Sequence, residues 1–316
     1  MRRGASGINL LVGIDKPRGL SSHDVVNRVR RSLGERRVGH AGTLDPLATG
    51  VLVVGVGQAT RLLGMLTLDT KRYLATIKFG SETTTDDAEG EVTQTAAVPD
   101  CVRDESFALI TLSGILGWQD QLPPSFSAIS VGGRRSYERA RAGEEVNLEP
   151  RRICVHEARL VSIDDADGIT WKVDLLVSKG TYVRSIARDL GRSLGTRAHL
   201  AGLERSSAGA VTVGECLSLD ELAELGPEGV LARSLDPVRT LGLAVRLLAQ
   251  EELVDVSCGR TLDAGLLWDD GAMRPAREGE RVSIVRGDRL MGVWECVGGR
   301  LRCTVNFPDG VCGVRI

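Results

Sequence analysis

Residues 38–52 read Val38-Gly39-His40-Ala41-Gly42-Thr43-Leu44-Asp45-Pro46-Leu47-Ala48-Thr49-Gly50-Val51-Leu52. Glycines 39, 42 and 50, a proline and an aspartate crowd into one loop. Pro46 restricts the residue before it, so Asp45 is held out of the helical region. Its neighbours Leu44, Leu47 and Ala48 are apolar. A carboxylate in such company is costly to bury unless it is paired or used. Residue types alone leave two readings open, a working carboxylate or a plain Asp-Pro turn.

The loop lies between a helix and a buried strand. Upstream, residues 21–33 place Val25, Val26, Val29 and Leu33 on one stripe, with Ser21 or Ser22 as cap. Downstream, the short apolar run 51–56 is a buried strand. Residues 73–79 alternate, with Tyr73, Ala75, Ile77 and Phe79 facing one way, as do residues 171–177 through Trp171, Val173, Leu175 and Val177. A helix is expected near 183–194, with Ile186, Leu190 and Leu194 on one face. Residues 81–95 are polar and acidic and read as a loop. Pro123-Pro124 opens a Gly- and Arg-rich insertion to about residue 150. Strands and helices mix without a strict βαβ repeat, so the expected class is α+β, with a mixed, largely antiparallel sheet and flanking helices. After residue 240, short strands split by Gly-Asp and Gly-Gly turns suggest a small β-barrel. The expected domains are 1–240 and 241–316.

Bulk composition points elsewhere at first. The 316 residues carry 40 Lys+Arg against 42 Asp+Glu, a net charge of −2. Such a total does not announce a nucleic-acid binder, and 3% aromatic content argues against a base-stacking sheet. Totals alone suggest a small-molecule enzyme. Charge is nevertheless segregated. Residues 1–40 are net +6 and residues 172–205 net +4, whereas 82–105 are net −7 and 215–236 net −5. That pattern fits a basic face with the acidic runs lying largely elsewhere, or unrelated solvated surfaces. Of the basic residues 35 are Arg, which suits phosphate but equally follows from codon bias. Seven cysteines lack CxxC spacing, so neither a metal site nor a disulfide framework is expected. No apolar run approaches about 18 residues and no signal peptide is read, so a cytoplasmic setting without membrane contact is expected.

The motifs carry more than the totals. Gly39 to Leu52 resembles the signature of pseudouridine synthases, in the wording of the TruB family of tRNA pseudouridine-55 synthases. Ile14-Asp15-Lys16-Pro17-Arg18-Gly19 with Ser21-Ser22 resembles that family's lysine–proline motif, and Lys71-Arg72-Tyr73 its tyrosine motif. Asp86-Asp87-Ala88-Glu89-Gly90 resembles its acidic loop. Pro123 to Ala128 with Gly132 to Tyr137 resembles its thumb insertion. Ser178 to Ser185 is similar to its arginine motif and Leu200 to Arg205 to its leucine motif. These matches run in family order from about residue 10 to 210.

The resemblance implies the pseudouridine synthase fold with a C-terminal PUA-like RNA-binding domain. It implies isomerisation of uridine 55 in the tRNA T loop, with no cofactor and no metal. The base leaves its stack, is detached from C1′ and rejoins through C5. Asp45 is then the essential carboxylate, paired with Arg184, and Tyr73 packs on the base as candidate proton acceptor. His40 fills the space left by the flipped base, and Tyr182 and Leu203 line the uracil pocket. Lys16 maintains its motif and Arg205 contacts phosphate. A monomer is implied, and a tRNA-folding role accompanies catalysis in the family. Two alternatives stand beside this, an RNA-folding factor and a guide-dependent rRNA pseudouridine synthase. The thumb insertion argues against the second.

Overall fold

The computed structural model describes residues 6–66, 70–127, 130–131, 134–136, 139, 144 and 148–315. Its strands in chain order are β1 Leu10–Lys16, β2 Val38–Ala41, β3 Thr49–Val56, β4 Lys71–Phe79, β5 Ser81–Thr83, β6 Val92–Thr95 and β7 Gly117–Gln121. Then come β8 Ser130–Val131, β9 Arg134–Arg135, β10 Arg151–Asp164, β11 Thr170–Val177, β12 Ala198–Ala208 and β13 Val211–Thr212. The C-terminal strands are β14 Ala244–Leu247, β15 Leu262–Asp263, β16 Leu266–Asp269, β17 Ala272–Pro275, β18 Arg281–Arg286, β19 Arg289–Val297 and β20 Arg300–Cys312. With helices interspersed, the class is α+β, as expected. Two compact units result, one of residues 1–45, 50–68 and 208–316, the other of 46–49 and 69–207.

In the first unit β1 and β3 run antiparallel from Leu10↔Val56 to Lys16↔Gly50, and β2 also pairs with β3. The helix Ser22–Leu33 starts at a capping box of Ser21 and Asp24 and stops at Gly34, whose φ of 60° releases the chain. Its stripe of Val25, Val26, Val29 and Leu33 packs on Leu10, Val12, Ile14, Leu52 and Val54. The C-terminal strands form a seven-stranded sheet, β15-β20-β19-β18-β14-β16-β17. This fits the expected small β-domain. Its core does not break at residue 240, however. Val285, Leu290, Val293, Phe307 and Val311 share one apolar cluster with Leu11, Val51, Val53 and Leu62.

In the second unit β4 pairs with β11, β11 with β10, and β10 with β7. The alternation read in β4 is borne out, with Tyr73, Ala75, Ile77 and Phe79 buried. Phe79 meets Trp171 edge-on at 4.9 Å, and Trp171 donates to the carbonyl of Val102 at 2.8 Å. The expected loop 81–95 is corrected. It is a hairpin in which β5 and β6 pair from Ser81↔Thr95 to Thr83↔Val92. All of β6 is exposed, so no apolar alternation marked it in sequence. The thumb motif lies partly beyond reach: Ala128, Gly132, Gly133 and Tyr137 fall outside the described residues.

Candidate active site

Each unit presents part of the residue set named from sequence. In the first, Lys16 ends β1 in register with Gly50, five positions after Asp45. Lys16 is fully buried, and its ammonium donates to the carbonyls of Pro17 at 3.0 Å and Leu20 at 2.7 Å. It thus closes the turn leading into the N-terminal helix, a structural role for its motif. The Asp45 loop is tied to that helix by Ser22. The Ser22 hydroxyl donates to the Leu44 carbonyl at 3.0 Å and accepts from the Leu44 amide at 2.8 Å. Ser21 caps the helix, which leaves Ser22 to hold the residue before Asp45. Asp45 itself is half-buried between buried Leu44 and exposed Pro46. His40 is half-buried on β2, opposite Val54.

In the second unit Tyr73 lies on the buried face of β4, opposite Leu175, with 8% of its surface exposed. Tyr182 is the N-cap residue of the helix Val183–Ser193. Gln121, at the end of β7, reads that backbone twice: its Oε1 accepts from the Tyr182 amide at 2.8 Å and its Nε2 donates to the Tyr182 carbonyl at 3.1 Å. Sequence reasoning passed over Gln121, although it immediately precedes the Leu122-Pro123-Pro124 segment. Leu203 is half-buried on β12, and its carbonyl accepts from the Thr49 hydroxyl at 3.5 Å.

Arg184 stands in the first turn of its helix with 5% of its surface exposed, so it is no surface arginine. It donates to the carbonyls of Thr85 at 2.9 Å and Phe126 at 3.0 Å and lies 3.6 Å from the Asp87 carboxylate. One turn on, Arg188 donates to Asp86 at 2.8 Å and to the Leu122 carbonyl at 2.8 Å. Another turn on, Arg192 grips Glu82 with two hydrogen bonds of 2.8 and 2.6 Å, and Arg197 lies 3.5 Å from the same carboxylate. Three arginines spaced one turn apart thus meet the acidic run on one helix face.

This corrects the reading of charge. Within the second unit, the acidic run 82–105 does not lie elsewhere than the basic run 172–205, because Glu82, Asp86 and Asp87 meet four of its arginines. Hydrogen bonds from Arg192 hold the Glu82 carboxyl below its ordinary value of 4.5. Burial pushes Asp86 up, and Arg188 only partly offsets that push. Arg205 was expected to contact phosphate and is 1% exposed within the protein.

Among the described residues, no group of three or more His, Cys, Asp or Glu is placed to hold a metal ion, and no helix is long and apolar enough to cross a membrane.

Comparison with known proteins identifies the family. The model of the TruB family pseudouridylate synthase N-terminal domain matches residues 30–183. A protein named tRNA pseudouridine synthase B from Thermobifida fusca is 45% identical over 287 residues, 87% of this chain and 97% of that protein. One of the same name from Leifsonia xyli is 41% identical over 309 residues, 96% of this chain and 98% of that protein. Solved structures share the fold. An archaeal box H/ACA sRNP Nop10–Cbf5 complex gives a TM-score of 0.68 at 21% identity, covering 95% of this chain and 86% of the other. A Cbf5–Nop10–Gar1 complex gives 0.70 at 22%, covering 98% and 88%. Relatives this similar, matched over nearly their whole length, mean that the chain belongs to the TruB family of pseudouridylate synthases.

Proposed function

We propose that this protein isomerises uridine 55 of the tRNA T loop to pseudouridine, as a monomer in the cytoplasm. The observation that carries this is the near end-to-end match, at 41–45% identity, to proteins named tRNA pseudouridine synthase B. In this reading the target base leaves its stack and Asp45 supplies the essential carboxylate. That group can form and release a covalent ester, or stabilise positive charge at C1′. Arg184 is the cation that keeps that carboxylate ionised. Tyr73 packs on the base and takes the C5 proton, while Tyr182 and Leu203 line the uracil pocket and His40 fills the vacated stack. The C-terminal sheet acts as an RNA-binding domain.

The double hydrogen bond of Gln121 to Tyr182 supports the pocket assignment, because it fixes the N-cap from which Arg184 follows two residues later. The double bond of Ser22 to Leu44 supports a fixed place for Asp45. The test is incubation of the purified protein alone with unmodified tRNA transcript, followed by chemical mapping of pseudouridine. Product at position 55 is expected, with none from Asp45→Asn, which should still bind tRNA. Activity that requires an added RNA or protein, or a fully active Asp45→Asn, would overturn the reading.

A further inference from the structure

We propose that Asp86 is a positioning residue, holding through Arg188 the loop that orients Arg184. This rests on the reading of Arg184 as part of the catalytic set.

Arg184 and Arg188 are one turn apart and reach the same two segments. Arg184 takes the Thr85 and Phe126 carbonyls, and Arg188 takes Asp86 and the Leu122 carbonyl. Each arginine therefore staples the acidic loop and the Leu122–Phe126 segment to one helix. The Asp86 staple lies between the two groups that face Arg184, the Thr85 carbonyl and the Asp87 carboxylate. The loop is also fixed on its other side. The Leu200 amide donates to the Asp86 carbonyl at 3.0 Å, and the Ala88 amide donates to the Leu200 carbonyl at 2.9 Å. Leu200 lies on β12, three residues before Leu203. Asp86 thus connects the helix of Arg184 to the strand of Leu203.

Two features point to geometry rather than stability as the purpose. Asp86 has φ of 61°, a left-handed conformation that, among the described residues, only Asp270 shares outside glycine. Such a residue persists where its surroundings over-determine it. The pair is also buried, with 7% and 12% of the Arg188 and Asp86 side chains exposed. Burial of this kind disfavours the carboxylate, and a buried ion pair is often replaceable without loss of stability. An alignment role accounts for keeping it.

The test compares full-length Asp86→Asn, Arg188→Gln, the double variant and Glu82→Gln. Asparagine tolerates the left-handed region, so Asp86→Asn removes the charge and leaves the turn. Single-turnover rate at saturating tRNA, tRNA affinity and melting temperature are measured for each. Asp86→Asn should slow the single turnover about tenfold, with affinity within about twofold, because the loss is one of alignment. The double variant leaves no buried orphan charge, since Asp189, the other carboxylate that Arg188 meets, is about half exposed, so it should regain melting temperature and not rate. Glu82→Gln, whose partner Arg192 stands two turns from Arg184, should lose melting temperature and keep its rate. A wild-type rate in Asp86→Asn, or a double variant that recovers rate together with stability, overturns the proposal. Should the wild type make no pseudouridine, or Asp45→Asn make it normally, the underlying reading of the site falls and takes this inference with it.

Discussion

Arg184→Lys is the most informative single change, because it keeps the charge and removes the fork. In the wild type two guanidinium nitrogens hold two carbonyls, Thr85 at 2.9 Å and Phe126 at 3.0 Å, which lie on separate loops. An ammonium on a flexible stem is a single point and cannot reproduce that planar arrangement. At least one charged hydrogen bond is lost, worth about 1.5–3 kcal/mol. For a domain of this size about 1 kcal/mol corresponds to roughly 2–4 °C, so the melting temperature should fall by roughly 3–12 °C. The charge near Asp87 is retained, so the chain should still fold. The chemical step should suffer more than stability, because a displaced catalytic group costs about a hundredfold in rate. Pseudouridine formation is followed in single turnover with tRNA labelled with tritium at uridine C5, since that hydrogen is released as the new bond forms. A rate within about twofold of wild type, with the melting temperature lowered as calculated, would show that Arg184 supports the loops and nothing else.

Phe307→Ala tests the shared core of the first unit. Phe307 is fully buried and the guanidinium of Arg61 lies 5.7 Å from its ring centroid. A loss of about 3–5 kcal/mol is expected by denaturant unfolding, with amide-exchange protection falling in β1 and β3 as well as in β20. Unchanged protection of Leu11 and Val53 would count against a common core. Acid should weaken the second unit through Glu82. Its folded carboxyl is depressed by Arg192, so its stabilisation is present above the ordinary value of 4.5 and lost as pH falls through the lower folded value. Glu82→Gln should therefore lower melting temperature at pH 7 and much less near pH 3. Asp86 acts oppositely, because burial raises its folded value, so its ionised form weakens the fold as pH rises. Affinity for tRNA should fall steeply with salt. Exposed Lys179→Gln should reduce the log–log slope by about one, whereas buried Arg188→Gln should leave it unchanged.

The parts of the fold that sequence reached are those where one face is buried and the other is not. The N-terminal helix announced itself through a cap at Ser21 or Ser22 and a valine stripe, and Ser21 and that stripe are its observed cap and buried face, whereas its stop at Gly34 was not read. Strand β4 announced itself by alternation, which is its observed burial. The β5–β6 hairpin had no such mark, since its residues pair by backbone and β6 buries nothing. The same limit applied at the site. Asp45, His40 and Tyr182 stood out through unusual local context and family resemblance. Ser22 and Gln121 did not, because each is defined by a backbone partner far along the chain, 22 residues away for Ser22 and 61 for Gln121. Nothing local distinguishes a serine that caps its own helix from one that grips a distant loop.

Charge shows that limit most clearly. Summed over the chain it cancels, and summed over segments it separates into runs of opposite sign. Neither sum reveals that Glu82, Asp86 and Asp87 meet Arg192, Arg188 and Arg184 turn for turn along one helix. A segment that is net +4 in sequence is therefore largely neutralised where it folds. Arg184 and Arg188 are held as internal staples rather than offered to phosphate, and half-exposed Arg192 is already paired with Glu82, so counting all three toward RNA affinity would overestimate the salt dependence. The cations left for phosphate in this unit are exposed ones such as Lys179, which is why the salt slope, and not the arginine content, measures the RNA-facing charge.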